Sequence, residues 1–112
     1  MIETYDKRCA VTGERSLPAL EAAHIKPFTL TMEHSVSNGL LMRADIHKLF
    51  DKGYVTVRPD ATFRVSRSLR DDFSNGRIYY ELDGLTIREP NDPADRPLKD
   101  YLDWHYSTVF KG

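Results

Sequence analysis

Apolar positions along the chain come in short runs broken by turn residues, and the period of those runs changes along its length. Leu20 to Ile25 is an apolar run short enough for a strand, and Lys26-Pro27 ends it because proline has no N–H to give to a ladder. Asn38-Gly39 is a turn signal, Leu40-Leu41-Met42 reads as a second short strand, and Ala44 to Asp51 reads as a helix. On that helix Ile46, Leu49 and Phe50 recur at i, i+3 and i+4 and must face a core. The first half is therefore predicted to be strand, loop, strand, helix, with Thr29 to Ser37 as the loop and His34 exposed within it.

Gly53 allows a left-handed turn after the helix, and the second half opens with Tyr54 to Arg58, which alternates as a strand. Pro59-Asp60 turns the chain into Phe63 to Ser66, the return strand of a hairpin with Arg64 on its polar face. Ser68 to Phe73 suits a helical turn, whereas Arg77 to Leu82 and Leu85 to Ile87 flank Asp83-Gly84 and predict a second hairpin. Glu89 to Pro97 reads as a connector. Leu98 to Phe110 closes the chain as a helix with Leu98, Tyr101, Leu102, His105 and Val109 as its apolar stripe. At the other end, Met1 to Arg8 reads as an arm on which Ile2 and Tyr5 share one face. The prediction is an α+β fold, one domain over residues 1–112.

Chemistry enters at the first helix, where His47 and Asp51, four residues apart, lie together on the flank. An imidazole and a carboxylate so placed suit a divalent cation, and the same pair also suits a solvated helix face. His24, Asn38, His47 and Asp51 together say more than any pair. Their spacing, with the Ala-His-Ile opening at residues 23–25 and the His-x-Leu-Phe-Asp-x-Gly close at residues 47–53, resembles the HNH endonucleases. The resemblance extends to Cys9-Ala10-Val11-Thr12-Gly13, where many of that family carry the first pair of cysteines of a structural zinc site.

That likeness implies a ββα-metal (His-Me finger) core, to which the chain adds its C-terminal β-hairpin region and terminal helix. It implies a metal-dependent DNA endonuclease leaving a 5′-phosphate and a 3′-hydroxyl. His24 would be the base that activates water, Asn38 would orient the loop carrying it, and His47 with Asp51 would hold one divalent ion. Mg²⁺ or Mn²⁺ comes first for that donor set, with Ni²⁺ or Zn²⁺ as alternatives. Lys26, Arg43 and Lys48 surround the site and would contact the nucleic acid. Such domains commonly sit behind a separate DNA-reading domain in bacterial restriction-type proteins, so the chain could be the C-terminal part of one.

Two departures from the family pattern bear on this reading. Many HNH nucleases place an Asp or His ligand just before the catalytic histidine, where this chain has Ala23, which leaves Glu21 or Asp45 in reserve. The zinc version needs four thiolates, and Thr12, Arg43 and Ile46 stand where the other three would fall, so no structural zinc is expected. Loss of a ligand makes a catalytically inactive DNA-binding module the alternative function.

Composition alters the picture little. The 112 residues, 40% of them hydrophobic and 29% charged, are ordinary for one globular domain. A net charge of −1 gives nucleic-acid binding no global support, although Arg64, Arg67 and Arg70 fall in a stretch without acidic residues. A single cysteine excludes an internal disulfide and fits a reducing, cytoplasmic setting. No apolar run is long enough for a membrane span and no leader-like segment opens the chain, so a soluble protein is expected.

Overall fold

A computed structural model describes residues 1–27 and 36–112. His34 and most of the expected loop therefore lie outside the described residues. Strands β1 (Leu20–His24) and β2 (Gly39–Arg43) pair antiparallel, Leu20 opposite Arg43 and His24 opposite Gly39. Alternation along β1 turns Ala23 into the core with Ile25 beyond it, and leaves Ala22 and His24 exposed. His24 is thus not an imidazole sunk in an apolar strand. It stands on the outward face at the strand's end.

Strand β2 is buried from Gly39 to Met42 because it has neighbours on both edges. One edge carries β1, and on the other the Ala10 N–H donates to the Leu41 carbonyl at 2.7 Å. Helix α1 (Ala44–Asp51) packs against both strands and buries Ile46 and Phe50 completely, with Leu49 half-buried. Gly53 ends it at φ +82°, and a Cβ there would collide with the Val109 carbonyl. Both facts require glycine, since only a residue without a side chain takes that angle with another backbone so close.

Strands β3 (Val55–Val57) and β4 (Phe63–Val65) form a second antiparallel pair, Val55 opposite Val65. The expected in–out alternation of β3 is absent, because all three of its residues are buried. Helix α4 (Lys99–Thr108) packs on β3, and its His105 ring meets the Thr56 hydroxyl at 2.7 Å. The other ring nitrogen lies 2.8 Å from the Phe50 carbonyl, and the ring stacks on Phe50 with centroids 3.7 Å apart. A carbonyl only accepts, so Nε2 carries the proton and Nδ1 accepts from the threonine. His105 is a core residue linking α4, β3 and α1.

Burial lowers the His105 pKa from 6.5 to about 4, against the raising effect of its bond to Phe50. The neutral ring is the folded form, so unfolding takes up a proton wherever the free imidazole is charged and the buried one is not. Stability is full above about pH 6.5 and falls as the pH drops towards about 4, by about 3 kcal/mol in all. Urea midpoints measured from pH 7 to pH 4 should show this loss. His105→Gln should flatten the curve relative to the parent, and an unchanged slope would remove His105 as its source.

The second predicted hairpin does not form. Helices α2 (Ser68–Phe73) and α3 (Arg77–Tyr80) occupy the region, and residues 84–87 run along residues 61–63 instead of pairing with residues 77–82. Asp83, taken from the sequence as a turn residue, accepts the Val65 N–H at 2.7 Å and Arg64 Nε–H at 3.1 Å. A carboxylate bound to the edge of β4 leaves Asp83-Gly84 no two-residue hairpin to close. One helical turn also lets adjacent phenols reach different partners: Tyr79 donates to Asp45 at 2.9 Å and Tyr80 to the Ser66 carbonyl at 2.7 Å. The N-terminal arm is half as predicted, since Tyr5 is buried and donates to the Gly39 carbonyl while Ile2 is exposed. Leu98, at the start of the terminal stripe, is exposed as well. No helix among the described residues is long and apolar enough to cross a membrane.

Candidate active site

The corner between β1 and β2 is fixed by one buried side chain. Asn38 accepts the Lys26 N–H at 3.0 Å through Oδ1 and donates to the Lys26 carbonyl at 2.8 Å through Nδ2. Its own carbonyl takes the Ile25 N–H at 3.0 Å. These bonds hold the two residues that follow His24, so the direction in which the chain leaves the histidine depends on Asn38. The Lys26 ammonium then sits 5.5 Å from the centroid of the Trp104 ring on α4.

Asn38→Ala would leave both Lys26 backbone groups without these partners, a loss of about 1–3 kcal/mol for each that stays shielded from water. Amide exchange at Lys26 should quicken and cleavage should slow, with metal affinity retained. Exchange as slow as in the parent, beside a fall in activity, would point to a direct contact with substrate instead.

His47 forms the second part of the site. Its Nδ1 lies 2.8 Å from Glu21 Oε1 on β1, and its Nε2 lies 3.2 Å from Asp51 Oδ2 one turn along α1. The Glu21 contact is a hydrogen bond when Nδ1 carries a proton, and the Asp51 contact is an ion pair only when the ring carries two protons. With a neutral ring, one nitrogen lone pair faces a carboxylate oxygen, a repulsion that a proton or a metal cation between them removes. The 2.8 Å separation is close to the ~3 Å between neighbouring donor atoms around a hard ion with bonds of ~2.1 Å. The residues therefore fit a divalent ion as one imidazole nitrogen plus one carboxylate. Among the described residues no three His, Cys, Asp or Glu side chains gather at one point, since Glu21 and Asp51 approach different ring nitrogens.

Alternation relates Glu21 to the absent family ligand. Glu21 and Ala23 are two apart and share one side of β1, so the longer glutamate reaches the helix flank that alanine cannot. Asp45 does not serve as the other reserve. Arg43 grips it with Nε and Nη2 at 2.9 and 2.8 Å, and that guanidinium, followed by the Tyr79 hydroxyl, holds the carboxyl down at about 2. Burial, then the neighbouring Asp45, raises the Tyr79 hydroxyl in turn.

The residues expected to contact nucleic acid are thus dispersed. Arg43 is paired and stands opposite Leu20, at the far end of the β1–β2 pair from His24. Lys48 is exposed on α1, and Lys26 lies beside Trp104. Among the described residues His47 has its contacts with Glu21, by a hydrogen bond, and with Asp51, by an ion pair. Cys9 is buried, and its Sγ accepts the N–H groups of Thr12 and Arg43 at 3.4 Å each, fastening the first turn to the start of α1. Trp104 was not singled out as a site residue in the sequence, because nothing links α4 to Lys26 until the chain folds. Glu21 could have been promoted by counting along the strand face.

A paired-strand corner carrying one histidine is thus followed by a helix carrying another among carboxylates. Residues 9–58 match the sequence model of the HNH endonuclease family. Among solved structures, the fold is similar to that of a modification dependent TagI restriction endonuclease, with a TM-score of 0.67 over 96% of this chain at 24% identity. The chain spans 35% of that protein's length. The fold is α+β, as in that structure, and no curated protein matches the sequence.

Proposed function

We propose that the chain is a metal-dependent DNA endonuclease. The observation that carries this is the His47 ring with a carboxylate at each nitrogen, on the helix that follows β2, the antiparallel partner of the strand ending in His24. One imidazole nitrogen of His24 takes a proton from the attacking water as its oxygen bonds to phosphorus, and the P–O3′ bond breaks. The 3′ oxygen leaves to take a proton from solvent. His47, with Glu21 or Asp51, holds a divalent ion, which when bound supplies positive charge to the phosphate and the leaving oxygen. The carboxylate on the other ring nitrogen fixes the tautomer and orientation of the imidazole. Asn38 transfers no proton and keeps the chain beyond His24 in place through Lys26. The exposure of His24 suits a base that must meet both water and a DNA strand.

Specific readout of bases is assigned to another part of a longer protein, and the isolated domain should cut with little sequence preference. The lone buried cysteine fits a cytoplasmic setting. Incubation of supercoiled plasmid with Mg²⁺, Mn²⁺ or EDTA tests the reading: nicking and linearisation should need a divalent ion and stop with chelator. A second reading, a DNA-binding module without catalysis, draws on Ala23 at the position of the family's ligand. Plasmid bound but left intact with every metal would favour it.

A further inference from the structure

A second cluster of charged side chains lies in a cleft that shares no residue with the site above. Arg8, Arg15 and Arg88 line it together with Tyr5 and the carboxylates of Asp6 and Glu89, around a volume of about 450 Å³. The fold brings these arginines together: the Arg88 N–H donates to the Ala10 carbonyl at 2.8 Å, two residues beyond Arg8. Gly13, at φ +78°, leaves the room that Arg88 crosses, since a Cβ there would stand 3.0 Å from its Nη2.

Among the described residues the three guanidiniums have no hydrogen bond or ion pair. Arg8 Nε is buried with no hydrogen-bond partner, and among the described residues no ion pair joins Arg8, Arg15 or Arg88 to any carboxylate, Asp6 and Glu89 included. A donor shut off from water and left unpaired is costly, and arginine forks match the oxygens of a phosphate. Three cations against two carboxylates leave one net positive charge. That balance suits a phosphodiester, with one negative charge, better than a free phosphate or monoester carrying nearly two.

We propose that this cleft binds a phosphate group, and that its ligand is a backbone phosphodiester of DNA held apart from the cleavage centre. The proposal rests on the nuclease reading for its ligand. Anisotropy of a fluorescent duplex, in EDTA so that nothing is cut, measures Kd against salt for the parent and for Arg15→Gln/Arg88→Gln. Loss of one phosphate contact should lower the slope of log Kd against log salt by about one and weaken binding roughly tenfold at ~0.1 M salt. Arg15→Glu, at an exposed position, gives the same readout should the double variant fold poorly. Inorganic phosphate, titrated while the arginine Nε–H signals are followed by NMR, separates the two sources of ligand. Saturable shifts of Arg8 with unchanged DNA binding in the variants would mean a small-anion site and overturn the proposal. Equal Kd and slope in parent and variants without those shifts would overturn it too, while leaving the nuclease reading intact. A parent that binds no DNA would defeat both.

Discussion

His24→Ala should slow DNA cleavage by roughly 10²–10⁴-fold, the range associated with loss of a positioned general base, while the divalent ion still binds. The separation of effects follows from placement. His24 is on the exposed face of β1, and His47 meets Glu21 and Asp51, so removing the first imidazole takes no donor from the second. Little stability should be lost, because exposed positions away from caps and cores usually change folding by less than ~0.5 kcal/mol. The parent's rate should rise with pH as the base gives up its proton, and the variant should lack that limb. Single-turnover cleavage across pH, with Mn²⁺ affinity measured alongside, provides the check. A variant that cut near the parent rate with metal bound would remove His24 from the mechanism.

The second large effect belongs to His47. His47→Ala should abolish both metal binding and cleavage while the protein stays folded, since the apolar face of α1 is made by Ile46 and Phe50 and His47 is only half-buried. Calorimetry should report loss of the Mn²⁺ isotherm with an unchanged thermal midpoint. Glu21→Gln and Asp51→Asn should each weaken affinity, by about 10–100-fold where the carboxylate only orients the ring and by more where it is the ligand itself. The larger loss identifies the ligand. Unchanged Mn²⁺ affinity in His47→Ala would place the ion elsewhere.

The sequence by itself determined the two strands, the helix after them and the order of their chemistry. Ile46, Leu49 and Phe50 repeat with the helical period and the bounds Ala44 to Asp51 are those of α1, matters settled by neighbours a few residues apart. Long-range partners decided the rest. Asp83-Gly84 carries the local signature of a hairpin, yet Asp83 is taken by Val65 and Arg64, so one turn of helix stands where a strand was expected. Burial of β3 came from α4 and α1, which both pack on it, and His105 of α4 exchanges a solvated imidazole for bonds to Thr56 and Phe50. Choosing between Glu21 and Asp45 was likewise beyond local pattern, because Arg43 and Tyr79 claim one carboxylate and His47 meets the other. Period and turn chemistry are written in adjacent residues, whereas the partner of a charge depends on which distant side chain the fold brings within 3 Å of it.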